Sequence, residues 1–175
     1  MNEAQTMNAV VMGIGNPLLG DDGFGVEVAR RVKEAFAASR ELSDVEVVDG
    51  GSQGLYLLPY LQGRTHIVVA DAIAFGGRPG EVVRLTADQV PARLQVKMSE
   101  HQVGFNEVLA LLRLLGEEPR EFVFFGVQPK SNDWADPLSP EVEAAILPVA
   151  EQIKAQVELW KGNVHATDER DSRAQ

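Results

Sequence analysis

The stretch NAVVMGIGNPLLGDDGFG, residues 8–25, decides the fold. Its first half is apolar and β-branched, closes on glycines and predicts a strand over 8–15. Its second half is a loop punctuated by Gly and Asp that opens a helix over 22–38. In that helix Gly25, Val28, Ala29, Val32 and Phe36 form one stripe, while Arg30, Lys33 and Glu34 face away. A strand, a tight loop and an amphipathic crossover helix begin a parallel α/β unit. Further runs rich in Val, Ile and Phe repeat the strand signal at VEVVD (45–49), HIVVADA (66–72), EVVRL (81–85) and EFVFFGV (121–127). Three of these strands are near-continuously apolar, as strands are when helices cover both faces. The predicted architecture is α/β, a three-layer α/β/α sandwich on a mostly parallel sheet of about five strands.

The remaining helices fit between and after the strands. Leu55 to Leu61 follows Gly50-Gly-Ser and reads as a short helix interrupted at Pro59. Ser99-Glu-His-Gln102 has the form of a capping box, and Val103, Val108, Leu111, Leu112 and Leu115 follow it, with Gly116 as a stop. His101 then falls in a first helical turn. Ser139 and Pro140 are an N-cap and first-turn pair for a helix carrying Val142, Ile146, Val149, Ile153, Val157 and Trp160, with a kink expected at Pro148. Residues 1–162 are expected to form one α/β domain, and the polar residues 163–175 a disordered tail.

Composition narrows the chemistry. A chain of 175 residues is long enough to bury roughly 70% of its unfolded surface in one core. With 16 basic and 26 acidic residues the net charge is −10, which argues against nucleic acid as a partner. The absence of cysteine removes disulfides, thiolate metal sites and cysteine nucleophiles together, and it suits a reducing cytoplasm. The first fifteen residues lack a basic leader, and no apolar run reaches the length of a membrane span, so neither secretion nor a membrane is expected.

Three side chains are candidates for a site. Asp22 stands between the first strand and its helix, where its simplest role is to cap that helix and complement its dipole. The same loop position cradles pyrophosphate in dinucleotide-binding folds. Here the glycines do not fall as G-x-G-x-x-G, and Asp21 and Asp22 would repel an anion. Asp71 closes the apolar run HIVVADA at a carboxyl strand end, where open α/β sheets collect functional groups, although a satisfied structural carboxylate is the plainer reading. His101 feels the positive end of a helix dipole, which favours the neutral imidazole that a metal requires. Two carboxylates and one imidazole suit a borderline divalent ion such as Ni²⁺ or Zn²⁺ with open positions left for substrate. His66 and His165 have no comparable setting. There is no Gly-x-Ser-x-Gly elbow and no His-Glu-x-x-His pair, so ordinary serine and zinc peptidase machinery is missing.

In order along the chain stand Gly13-Ile-Gly-Asn16, Gly20-Asp-Asp-Gly-Phe-Gly25, Asp49-Gly-Gly-Ser52, Ala70-Asp-Ala72, Ser99-Glu-His-Gln102 and Phe125-Gly-Val-Gln-Pro129. In these motifs and their spacing, from Val10 to about Ile153, the chain resembles the NiFe-hydrogenase maturation endopeptidases. That resemblance implies an enzyme that removes a C-terminal extension from the precursor of the hydrogenase large subunit after nickel insertion. It implies nickel binding by Asp22, Asp71 and His101, with Ni²⁺ supplied by the precursor. Two other classes stand beside it. One is a nickel-dependent assembly chaperone that holds the precursor without cutting it. The other is a peptidyl-tRNA hydrolase, which Gly-Ile-Gly-Asn-Pro also resembles, but the acidic surface and the lack of a histidine soon after the loop oppose it.

Overall fold

All six residues of strand β1 (Ala9–Ile14) are buried, and the rest of the chain is arranged around it. The computed structural model describes residues 7–52, 54–90 and 100–173, leaving aside the side chains of 100–104, 106 and 165–173. After β1 come a 3₁₀ turn at Gly20–Gly23, helix α1 (Phe24–Ala37), β2 (Glu46–Gly51), a second 3₁₀ turn at Gly54–Leu57 and α2 (Leu58–Leu61). Then follow β3 (His66–Ala72), β4 (Val82–Leu85), α3 (Glu100–Leu114), β5 (Glu121–Val127) and α4 (Pro140–Arg173).

The five strands form one sheet in the order β2-β1-β3-β5-β4. β1 is parallel to both β2 and β3, and β3 is parallel to β5, while the short edge strand β4 alone runs antiparallel. The expected mostly parallel α/β sandwich is therefore the fold. From β1 the chain steps out to β2, then crosses back to β3 on the other side. That reversal leaves a crevice beyond the carboxyl ends of β1 and β3, where such sheets place their sites.

Alternation along β3 explains its unbroken apolar run. Val68, Ala70 and Ala72 pack against α1 and α4 with Val28, Val32, Phe36, Val149 and Ile153, whereas Ile67 and Val69 face Leu57, Leu61, Phe105 and Leu112 on the other side. A sheet with water on neither face has no polar positions to alternate. Each fully buried Val or Phe here contributes about 1.5–3 kcal/mol.

Several element ends differ from the sequence reading. α1 starts at Phe24 because the 3₁₀ turn takes up Asp21 and Asp22. Pro59 does not interrupt a helix; it lies in the first turn of α2, where its missing N–H has no partner to lose. The helical backbone of α4 runs through Pro148, where a kink was expected, and through Gly162 as far as Arg173. Glycine weakens a helix interior by only about 1 kcal/mol and does not forbid it.

Candidate active site

Glycines bring the first helix onto the sheet. A Cβ on Gly25 would lie 2.2 Å from the carbonyl oxygens of Ala70 and Ile14, so the start of α1 touches the ends of β1 and β3 backbone to backbone. Gly15, at φ 138°, leaves room for the carbonyl of Asp22, 1.8 Å from where its Cβ would stand. The loop between is folded on Asn16. Its N–H donates to Asp22 Oδ2 at 2.8 Å, and its side-chain oxygen accepts from Leu18 N at 3.0 Å. Asp22 is thereby held over the strand ends at 4% exposure.

Asp71 is 3% exposed and pairs in register with Gly126 of β5. By alternation its side chain shares the face of Ile67 and Val69, the face that α3 covers. Burial pushes its carboxyl well above the usual carboxylate range. The charge of Asp22 pushes it further, and only the backbone N–H of Ala72 pulls the other way. Two acidic side chains are thus buried near one another at the carboxyl ends of β1 and β3. A cation bridging them would relieve both the desolvation and the repulsion.

The structure brings two of the three predicted residues together. His101 is the second residue of α3, whose far end leads through Arg120 to the amino edge at β5, so its backbone starts the helix at the carboxyl edge of the sheet. The His101 side chain and the Ser99 cap lie outside the described residues. Among the described residues no three His, Cys, Asp or Glu side chains form a metal-binding group. His66 lies at the opposite edge, 4.9 Å from Trp160 in an edge-on ring contact, and has no part in the site.

Two supporting residues escape a reading by sequence alone. Asp21 is fully buried yet caps no helix. Its carboxylate accepts from Ser139 N at 2.6 Å, Lys130 N at 2.7 Å, Ser139 Oγ at 2.9 Å and Ser131 N at 3.1 Å. Burial alone would raise this carboxyl, but those bonds, led by Ser139 N, outweigh it and hold it below its ordinary value. The Ser139 hydroxyl, expected to cap α4, donates to Asp21 instead. Gln128 is the second. Its Oε1 accepts from the backbone N–H groups of Phe75, Gly76 and Gly77 and so fixes the loop that leaves β3 just after Asp71. The only sequence signal for Gln128 was its place in Phe125-Gly-Val-Gln-Pro129, and for Asp21 its adjacency to Asp22.

Fold and site together define an α/β protein with a buried acidic pair at the switch point of a parallel sheet. The sequence model of the hydrogenase maturation protease family matches residues 26–156. The hydrogenase 2 maturation protease of Escherichia coli K12 is 38% identical over 151 residues, 85% of this chain and 90% of its own. The hydrogenase expression/formation protein HupD of Rhodobacter capsulatus is 38% identical over 91% of this chain and 78% of its own. Among solved structures, the E. coli hydrogenase maturating endopeptidase HybD superposes with a TM-score of 0.76 at 37% identity, covering 87% of this chain and 93% of its own. The chain belongs to the hydrogenase maturation protease family, whose members are peptidases.

Proposed function

We propose that this protein is an endopeptidase that removes the C-terminal extension of a NiFe-hydrogenase large-subunit precursor once nickel has been inserted. The observation that carries the reading is the burial of Asp22 and Asp71 side by side, with the Asp71 carboxyl pushed up by burial and by its neighbour. A structural pair of acids gains nothing from that placement, whereas a site that receives a cation from outside needs it. Nickel in the precursor is then part of the substrate. Asp22, Asp71 and His101 complete its coordination, and the bound ion both identifies the mature precursor and places the scissile peptide in the crevice. The metal supplies a polarising charge for the peptide carbonyl or for water. The residues of this chain supply the two buried carboxylates of Asp22 and Asp71 and the imidazole of His101.

No helix among the described residues is long and apolar enough to cross a membrane. We assign the reaction to the cytoplasm, with the folded precursor as partner and neither nucleic acid nor lipid involved.

The test is to incubate nickel-loaded and nickel-free precursor with wild type, His101→Ala and Asp71→Ala, and to weigh the precursor before and after. Wild type should release the extension from the nickel-loaded form only, and both variants should release none. Equal processing of nickel-free precursor, or full activity in both variants, sinks the nickel-reading site. A precursor that keeps its mass with wild type identifies a chaperone.

A further inference from the structure

The loop 128–139 between β5 and α4 carries Trp134, a tryptophan that is 71% exposed, and Leu18 on the loop after β1 is 57% exposed. The two are joined through the backbone, because Ala135 N donates to the carbonyl of Leu18 at 2.8 Å. Exposed large apolar residues on a slack loop would mean little. This loop is not slack.

It is fixed at both ends by Asp21, through Lys130 N and Ser131 N on one side and Ser139 on the other, and Asp21 N returns a bond to the carbonyl of Ser131 at 2.9 Å. Inside the loop the Ser131 hydroxyl donates to Asp133 and accepts from Asp133 N. Ala135 adopts φ 62°, a left-handed conformation that residues with a Cβ avoid, and nothing in its own chemistry favours it. Gly20 closes the approach between the loops, since a Cβ there would meet the Ser131 carbonyl at 2.8 Å. Strain of this kind persists where surrounding structure imposes it, and here it fixes the backbone on which an aromatic ring is displayed to solvent. An exposed tryptophan on a fixed backbone is the kind of side chain that dominates recognition between proteins, because it offers much area for the few torsions it must freeze.

The occupant follows from what adjoins the pair. Leu18 and Asp22 are tied through one residue: Asn16 accepts from Leu18 N and donates to Asp22. Hydrogen bonds thus connect the loop of Trp134 to Leu18, and Leu18 through Asn16 to Asp22. The carboxylates of Asp133 and Asp136, which the Ser131 hydroxyl meets in the same loop, and a net charge of −10 disfavour an anionic lipid surface.

We propose that Trp134 and Leu18 form the apolar contact by which the chain engages its polypeptide substrate next to the Asp22–Asp71 crevice, and that Asp21 is the positioning residue holding this contact in register with Asp22. The proposal rests on the functional reading above. Its ligand is an apolar side chain of the hydrogenase large-subunit precursor, presented near the segment that enters the crevice. Trp134 and Leu18 act on binding, and Asp21 acts through them.

The experiment uses the full chain and a nickel-loaded large-subunit precursor that retains its extension, with KM, kcat and direct precursor affinity measured for wild type, Trp134→Ala, Trp134→Phe, Leu18→Ala and Asp21→Asn. Trp134→Ala should raise KM and weaken affinity by about 30-fold, as loss of a hot-spot aromatic does, with the loss falling on KM and not kcat. Leu18→Ala should weaken affinity less, and Trp134→Phe should restore most of it. Asp21→Asn should raise KM and lower kcat together, because it loosens the register between the two loops. The proposal is overturned by KM and affinity within about twofold of wild type for both Trp134→Ala and Leu18→Ala. It is also overturned if wild type self-associates through Trp134 while precursor affinity is unchanged in Trp134→Ala. If wild type neither binds nor processes the precursor, the functional reading falls and this contact with it; if wild type processes normally and the variants match it, only the contact falls.

Discussion

A Cβ on Gly13 of β1 would stand 2.0 Å from the carbonyl oxygen of Gly25 in α1, so strand and helix meet there without any side chain between them. Gly25 makes the reciprocal approach to Ile14 and Ala70. The first turn of α1 is seated on two strands at once, and Asp22, two residues before that helix, inherits its position. Gly25→Ala must push the helix off the sheet. We expect a loss of at least about 1–3 kcal/mol in stability, the range for overpacking a close-packed interior. Processing of precursor should fall further than stability does, because Asp22 moves with the helix start. A melting temperature and activity both equal to wild type would contradict this placement.

Gly162 gives the opposite expectation. It lies inside α4 with nothing within 4 Å of where its Cβ would be. Gly162→Ala should stabilise the protein by about 0.5–1 kcal/mol through helix propensity alone. Helicity by circular dichroism should hold or rise. If Gly162 instead ended the helix, alanine would bring no gain, so the sign of the change in melting temperature decides where α4 stops.

Asp21→Asn tests the tie between the β1 loop and the start of α4. An amide presents one nitrogen that cannot accept, so Lys130 N, Ser131 N and Ser139 cannot all keep their acceptor. Each buried N–H left unpaired costs about 1–3 kcal/mol. The expected result is a clear drop in midpoint in urea unfolding with an unchanged slope. Substitution of exposed Asp49, whose Oδ1 accepts from Gly51 N, should cost less.

His66 predicts a pH dependence of stability. Burial holds its imidazole below the ordinary histidine value; Glu121 opposes this and Arg120 adds to it. Because the folded pKa is depressed, the unfolded chain takes up the proton first as pH falls. The contribution of His66 is therefore fully present above about pH 6.5 and is lost as pH drops through the folded value. Wild type should lose stability between pH 7 and 5 more steeply than His66→Gln does. Parallel curves for the two proteins would show that folding does not lower the pKa of His66.

Periodicity carried most of the fold because the core sides with it. All five strand runs and the stripe of α1 are patterns of neighbours a few residues apart, and burial of both sheet faces leaves that pattern unbroken. That Asp22 and Asp71 come near one another was legible for a related reason, since strand ends in a parallel sheet share an edge. Asp21 was not, because its partners lie 109 to 118 residues away and no local spacing announces them. Nor could Gln128 be read as the acceptor for Phe75, Gly76 and Gly77, which depends on β3 and β5 being neighbours. Pro59 misled as a breaker because it sits at a helix start, where its defect is tolerated.

The acidic pair should reveal its purpose through a trade between stability and activity. Burial, with Asp22 beside it, makes the folded state favour a protonated Asp71. A raised folded pKa means that the stability from Asp71 is fully present below the ordinary carboxylate value and is lost as pH rises through the folded one. Asn has the shape of the protonated acid and no charge to lose. Asp71→Asn should therefore match wild type at low pH and become the more stable protein as pH rises toward neutral, while release of the precursor extension falls at least about 100-fold for lack of the second carboxylate. Thermal unfolding from pH 4 to 8 and the mass of the precursor at pH 7 give both readings from one pair of proteins. A variant less stable than wild type at every pH would mark Asp71 as a structural acceptor, and full processing by that variant would remove it from the site.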